Sequence, residues 1–160
     1  MTIGTLKTQG TRLFFAFSAS EILKVACPTG INGLGGAADQ VENTCLDSTE
    51  REYVRGLANP GQVTVPINFI ARSAAHQALI ALQDTGETIS WMIVLSDQTG
   101  SPSTLDSESR LVSPGATTVE FLGYVSDLNI DIGINEIVRG TVTVQRSGAR
   151  VFELPTADLA

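Results

Sequence analysis

Between Gly61 and Ile70 apolar side chains fall on every second position. Val63, Val65, Ile67 and Phe69 form one set, and Gln62, Thr64 and Asn68 form the other. A period of two marks a strand with one buried and one wettable face. Pro66 lies inside the run and has no N–H for a ladder bond, which predicts an edge position or a bulge. The pattern then changes period. Ala75, Ala78, Leu79 and Leu82 follow the i, i+3, i+4, i+7 spacing of a helix stripe. This predicts a helix over Ala74–Asp84, with Ser73 as its cap and Gly86 as its stop.

Other segments read as strands. Thr11–Phe17 (TRLFFAF) is short and aromatic, and Glu21–Ala26 is a further candidate. Thr88–Ser96 (TISWMIVLS) is apolar on both faces and therefore predicts cover on both, with Trp91 in the core. Thr117–Ile132 and Ile137–Arg146 read as a long hairpin turning at Gly133–Glu136. Its first strand alternates Leu128, Ile130 and Ile132 with Asp127, Asn129 and Asp131. Its second alternates Val142 and Val144 with Thr141, Thr143 and Gln145.

Between these lie irregular stretches. Cys27–Thr44 holds Pro28 and four glycines and reads as a long loop, as does Asp97–Ala116 with Pro102 and Pro114. Leu46–Arg55 reads as a short helical turn, capped by Asp47 or Ser48 ahead of Glu50 and Glu52. Gly148 ends the ordered pattern, leaving Ala149–Ala160 as a tail. The expected fold is mostly β, with one α-helix packed against or beside its sheets, in a single domain spanning residues 1–160.

Composition narrows the function. Charged residues make up 17% of the chain, against about 25% on average. So few charges suit a surface that is partly buried against other chains. The net charge is −7, and the two lysines (Lys7, Lys24) and eight arginines are scattered. A protein that grips nucleic acid needs clustered cations, so that role is disfavoured, as is a membrane surface. No segment approaches the roughly 18 apolar residues of a membrane helix, and Met1–Gly10 lacks the apolar core of an export signal.

Candidate chemistry is thin. His76, the sole histidine, is expected on the polar side of the helix as an exposed or hydrogen-bonded surface residue. GINGLGG (Gly30–Gly36) lacks the Gly-Lys-Ser/Thr ending and the G-x-G-x-x-G spacing of nucleotide loops. Asp47, Glu50 and Glu52, and likewise Asp127 and Asp131, read as solvated acids. Cys27 and Cys45 match no zinc spacing and read as reduced thiols, although their separation in space is open. No catalytic residue, metal or cofactor is expected.

TCLDSTEREYVRGL (Thr44–Leu57), preceded by Asn43 and followed by GQVTVPINF (Gly61–Phe69), resembles the tail tube proteins of long, non-contractile-tailed bacteriophages. SAAHQALIAL (Ser73–Leu82) is similar to that family's central helix. EFLGYVSDLNIDIGINEIVRGTVTVQRSG (Glu120–Gly148) resembles its closing hairpin. The resemblance covers Thr44–Gly148. It implies a mostly β fold of β-sandwich or barrel-forming sheets with one flanking α-helix, related to phage and type VI secretion tubes, and hexameric rings stacked around a tape-measure protein. It also implies tail terminator and distal tail proteins as partners, assembly in the host cytoplasm, and a place in the virion tail. Double-stranded DNA would pass transiently through the lumen without specific binding.

On that reading the alternating polar sets face the lumen: Gln62, Thr64, Asn68, Asp127, Asn129, Asp131, Thr141, Thr143 and Gln145. Six copies at −7 each would place −42 on a ring. The loop residues Gly30, Ile31, Asn32, Gly33, Leu34, Gly35 and Gly36 are the expected inter-ring contact, mobile in the monomer for want of apolar anchors. The 97–116 loop is a second candidate or an outer excursion. Two alternatives stay open: a tail-terminator or completion ring of the same fold, and a ligand-binding β-sandwich.

Overall fold

The computed structural model describes residues 5–18, 20–115 and 117–155. Eight strands and one helix follow one another: β1 (Arg12–Ser18), β2 (Glu21–Lys24), β3 (Ala38–Glu42), β4 (Tyr53–Ala58), β5 (Gln62–Asn68), α1 (Ala74–Thr85), β6 (Ile89–Val94), β7 (Thr118–Asp131) and β8 (Arg139–Glu153). Six strands make one sheet in the order β2-β1-β6-β7-β8-β5, and β3 and β4 pair separately. Every strand pairing is antiparallel. The architecture is mostly β with one flanking helix, as the patterning predicts.

One face of the large sheet carries the main core. Leu13, Phe15, Trp91, Ile93, Phe121, Val125, Val63, Val65, Val142 and Val144 gather there, with Ala75, Leu79 and Leu82 of α1 packed onto them. The helix begins at its predicted cap, where the Ser73 hydroxyl accepts the His76 N–H, and ends at Gly86 with left-handed φ. β6 is covered on both faces, because Phe14, Met92 and Val94 pack against Leu111 and Leu105 of the 97–116 segment. Beneath that segment buried Glu120 accepts from Ser90 Oγ at 2.7 Å and pairs with Arg110. The 97–116 stretch is thus irregular but fastened.

Four expectations need correction. Leu46–Arg55 forms no helical turn; β4 begins at Tyr53, and residues 43–52 are the end loop of the β3–β4 hairpin. Asp47 and Ser48 did look like a cap, but no apolar stripe follows to hold a helix against anything. The 27–44 stretch is not all loop, since β3 occupies Ala38–Glu42. Gly148 does not end the order either: with φ of 77° it forms part of a bulge, and β8 continues so that Glu153 faces Thr118. Of the expected tail, residues 156–160 lie outside the described residues.

The fourth correction is His76, which is 1% exposed rather than at the surface. Its Nδ1 accepts the Ile70 N–H at 3.0 Å, so Nε2 carries the proton and donates to the Ala26 carbonyl at 2.8 Å. Phe69 stacks on the ring. The imidazole therefore joins the exit of β2, the approach to α1 and the helix itself. His76→Ala takes the partner from the Ile70 N–H and the Ala26 carbonyl and opens a cavity, and should destabilise the monomer by about 3 kcal/mol. Urea denaturation of the purified monomer checks this.

Candidate lumen and assembly surfaces

The opposite face of the sheet divides in two. Over β1, β6 and the start of β7 it is covered by the 97–116 segment. Over the outer halves of β7 and β8, and over β5, no other element among the described residues covers it. Register decides which side chains share that bare area, because directly opposed residues of antiparallel strands project to the same side. Gln62 lies opposite Gln145, and Thr64 opposite Thr143, which in turn faces Asp127. Thr141 faces Asn129, and Arg139 stands between Asn68 and Asp131. All nine residues predicted from alternation therefore lie on one continuous polar field.

A bulge makes this possible. Upstream on β7 the side chains that enter the main core are Val119, Phe121 and Val125, at odd positions. Downstream Leu128 packs on the core from an even position. The register shift between Val125 and Asp127 absorbs the change of phase, so Asp127 turns outward on the same side as Tyr124. Sequence reasoning missed Arg139, which sits in the end row of the field, at the start of β8, and forms no ion pair among the described residues. Each copy thus presents two carboxylates and one guanidinium here, and no lysine.

The run Gly30–Gly36 is not loosely held. Asn32 exchanges two backbone hydrogen bonds with Thr64, at 3.0 and 2.9 Å, and Thr29 donates to the Pro66 carbonyl. Residues 27–32 so cover the outer edge of β5, where Pro66 supplies no N–H. Ile31 and Leu34 pack on the main core, which corrects the expected lack of apolar anchors. At Gly33 the φ is 95° and a Cβ would stand 2.0 Å from the Gln62 carbonyl oxygen, so only glycine permits this approach.

The unsupported element is the β3–β4 hairpin. Val41 pairs with Val54 and Glu42 with Tyr53, yet these four side chains are exposed, and so are Leu57 and, in the end loop, Leu46. β3 and β4 pack substantially on each other alone. A two-stranded hairpin in water is marginally stable by itself, and apolar groups exposed on both faces call for an outside partner. A second apolar projection is the β7–β8 turn, with Ile132, Ile134 and Ile137 exposed. Cys27 and Cys45 are both free and exposed.

Residues 4–155 match a protein family described as phage tail tube, TTP, lambda-like. The chain belongs to the lambda-like phage tail tube family. Structural protein 3 of Pseudomonas phage PAJU2 is 32% identical over 152 residues, spanning 92% of this chain and 93% of that protein. Three solved structures share the fold at low identity. A chain from the tail of an empty gene transfer agent particle, determined with C6 symmetry, superposes with a TM-score of 0.68 at 12% identity, covering 92% of this chain and 98% of that one. The SPP1 tail tube gives 0.66 at 11% identity, covering 96% and 81%. The sheath/tube terminator of an extracellular contractile injection system gives 0.69 at 12% identity, covering 96% and 99%. The tail tube protein is accordingly a structural subunit of the virion tail, not an enzyme.

Proposed function

We propose that the tail tube protein assembles through residues 1–160 as one domain into hexameric rings. These rings stack into a tube whose polar inner wall conducts double-stranded DNA. The observation that carries this reading is the bare polar field on β5, β7 and β8, backed by a packed core. A tube wall needs one dry side and one wet side, and these strands have both. The six-fold symmetry of the gene transfer agent tail supports six copies per ring. Within a ring the contact is head to tail and closes by rotation, whereas stacking is open-ended.

The wall's chemistry suits passage of a polyanion. Affinity for DNA rises with the number of cations that neutralise phosphates. Here the field has carboxyl, amide and hydroxyl groups around a single arginine, which favours sliding over capture. The exposed β3–β4 hairpin is better suited than Gly30–Gly36 to reach a neighbouring ring, because its apolar side chains have no partner at home. A tape-measure protein would occupy the lumen before DNA, and terminator and distal tail proteins would close the two ends.

Negative-stain electron microscopy across a concentration series tests the reading. Tubes with a central channel and a regular repeat are expected. Single rings that never stack would instead favour a terminator, and particles that remain monomeric at every concentration would count against self-assembly of this chain.

A further inference from the structure

Arg146 is a buried cation without a counter-ion among the described residues. It is 3% exposed, and its Nη1 donates to the carbonyls of Gly33 and Gly35 at 3.2 and 2.7 Å. Its Nε is buried and has no hydrogen-bond partner, and the same holds for Nε of Arg150. The only ion pair among the described residues joins Arg110 and Glu120, so no carboxylate pairs with either arginine. Two carbonyl dipoles do not neutralise a guanidinium, and a buried charge left unpaired is costly. Burial first, and then the charge of Arg150, push the Arg146 pKa below its ordinary value.

The surroundings are built for close approach. The guanidinium is bordered by the carbonyls of Gly33 and Gly35 and by Gly36, whose Cβ position stands 3.6 Å from Nη2. The same glycines line an open recess of about 320 Å³ with Ala37, Asn59, Gly61 and Gln62. Acidic groups are abundant nearby in sequence, but none among the described residues pairs with Arg146; Asp39, at the hairpin's base, lies against Gly56. The hairpin's far end carries Glu42, Asp47, Glu50 and Glu52 against Arg51. That hairpin leaves the sheet at Ala38 and returns at Ala58. At about 3.3 Å per residue, its end lies on the order of 15 Å or more from its own base. Its own carboxylates therefore do not reach the recess beside Gly36.

We propose that Arg146, flanked by Arg150 and the Gly33–Gly36 loop, is the receptor for a carboxylate on the β3–β4 hairpin end of a second copy. This rests on the tube reading above and names the partner of the hairpin. The apolar side chains Leu46 and Leu57 supply attraction without direction. A carboxylate meeting a buried guanidinium fixes the register between copies.

A double-mutant cycle on the full-length chain tests it, reading the critical concentration for sedimentable tubes. Arg146→Gln on one side and Glu42→Gln, Asp47→Asn, Glu50→Gln and Glu52→Gln together on the other should each raise it about tenfold or more. Combined, they should add little further, because each removes the same contact. The hairpin variant is fully exposed, so it keeps the test sound even if Arg146→Gln misfolds: assembly at the wild-type concentration would overturn the proposal. Additive effects in a wild type that forms tubes would overturn this inference alone. A wild type that forms none would overturn the tube reading and this pairing together.

Discussion

Replacing Leu46 and Leu57 with aspartate is expected to abolish tube formation while leaving the melting temperature of the monomer unchanged. Both side chains are almost wholly exposed, at 109% and 86%, and touch no part of the core, so the isolated fold loses nothing. Burying a leucine stabilises an interface by roughly 1.5–3 kcal/mol. Two such losses, before any cost of burying the new charges, shift the critical concentration by a factor of about 10² to 10⁴. Sedimentation of each variant, beside a thermal melt of its monomer, gives both readings. Tubes at the wild-type concentration would move the inter-ring contact elsewhere, with the exposed isoleucines of the β7–β8 turn the next to examine.

The second large effect concerns the wall. Lysines at both Asp127 and Asp131 should leave assembly intact and slow DNA release about tenfold or more. Both positions are exposed on the bare field, Asp131 beside Arg139, so the change costs the fold little. In a stacked tube the substitution repeats in every ring and builds a continuous cationic track. Each phosphate contact adds to DNA affinity, so many weak ones act together as a brake. Asp127→Asn with Asp131→Asn serves as the control, because it removes acid without supplying a docking point. Receptor-triggered release followed with a DNA-binding dye measures the rate. Equal rates for the lysine and asparagine particles would remove this field from the lumen.

How much of this was legible in the sequence follows from where each signal is stored. β5 and α1 carry their periods in adjacent residues, and Ser73 and Gly86 mark the helix ends locally, so both elements were readable. The polar field was readable too, because alternation assigns side chains to faces without knowledge of strand order. The β3–β4 hairpin was not, since both of its faces meet solvent in the single chain and no apolar set singles one out. His76 was misread because its cover comes from Ala26, fifty residues away. Arg146 continues the inward set of Val142 and Val144, and a cation there reads as a strand end. Only the folded chain brings Gly33 and Gly35 to it. The continuation of β8 past Gly148 likewise depends on its bulged pairing with β7.

The hairpin's lack of support at home has a consequence for timing. In the proposed tube, a first ring forming in free solution would have to order its hairpin arms with nothing above to hold them. Each arm costs about 1–2 kcal/mol for every residue that becomes fixed. A subunit arriving at an existing end finds its arm's seat already formed. On that reading spontaneous nucleation is expected to be slow and elongation fast, so dilute subunits should accumulate through a lag until a template is present. Growth would then start where the template stands, and an infected cell would be able to stockpile subunits without filling itself with stray filaments.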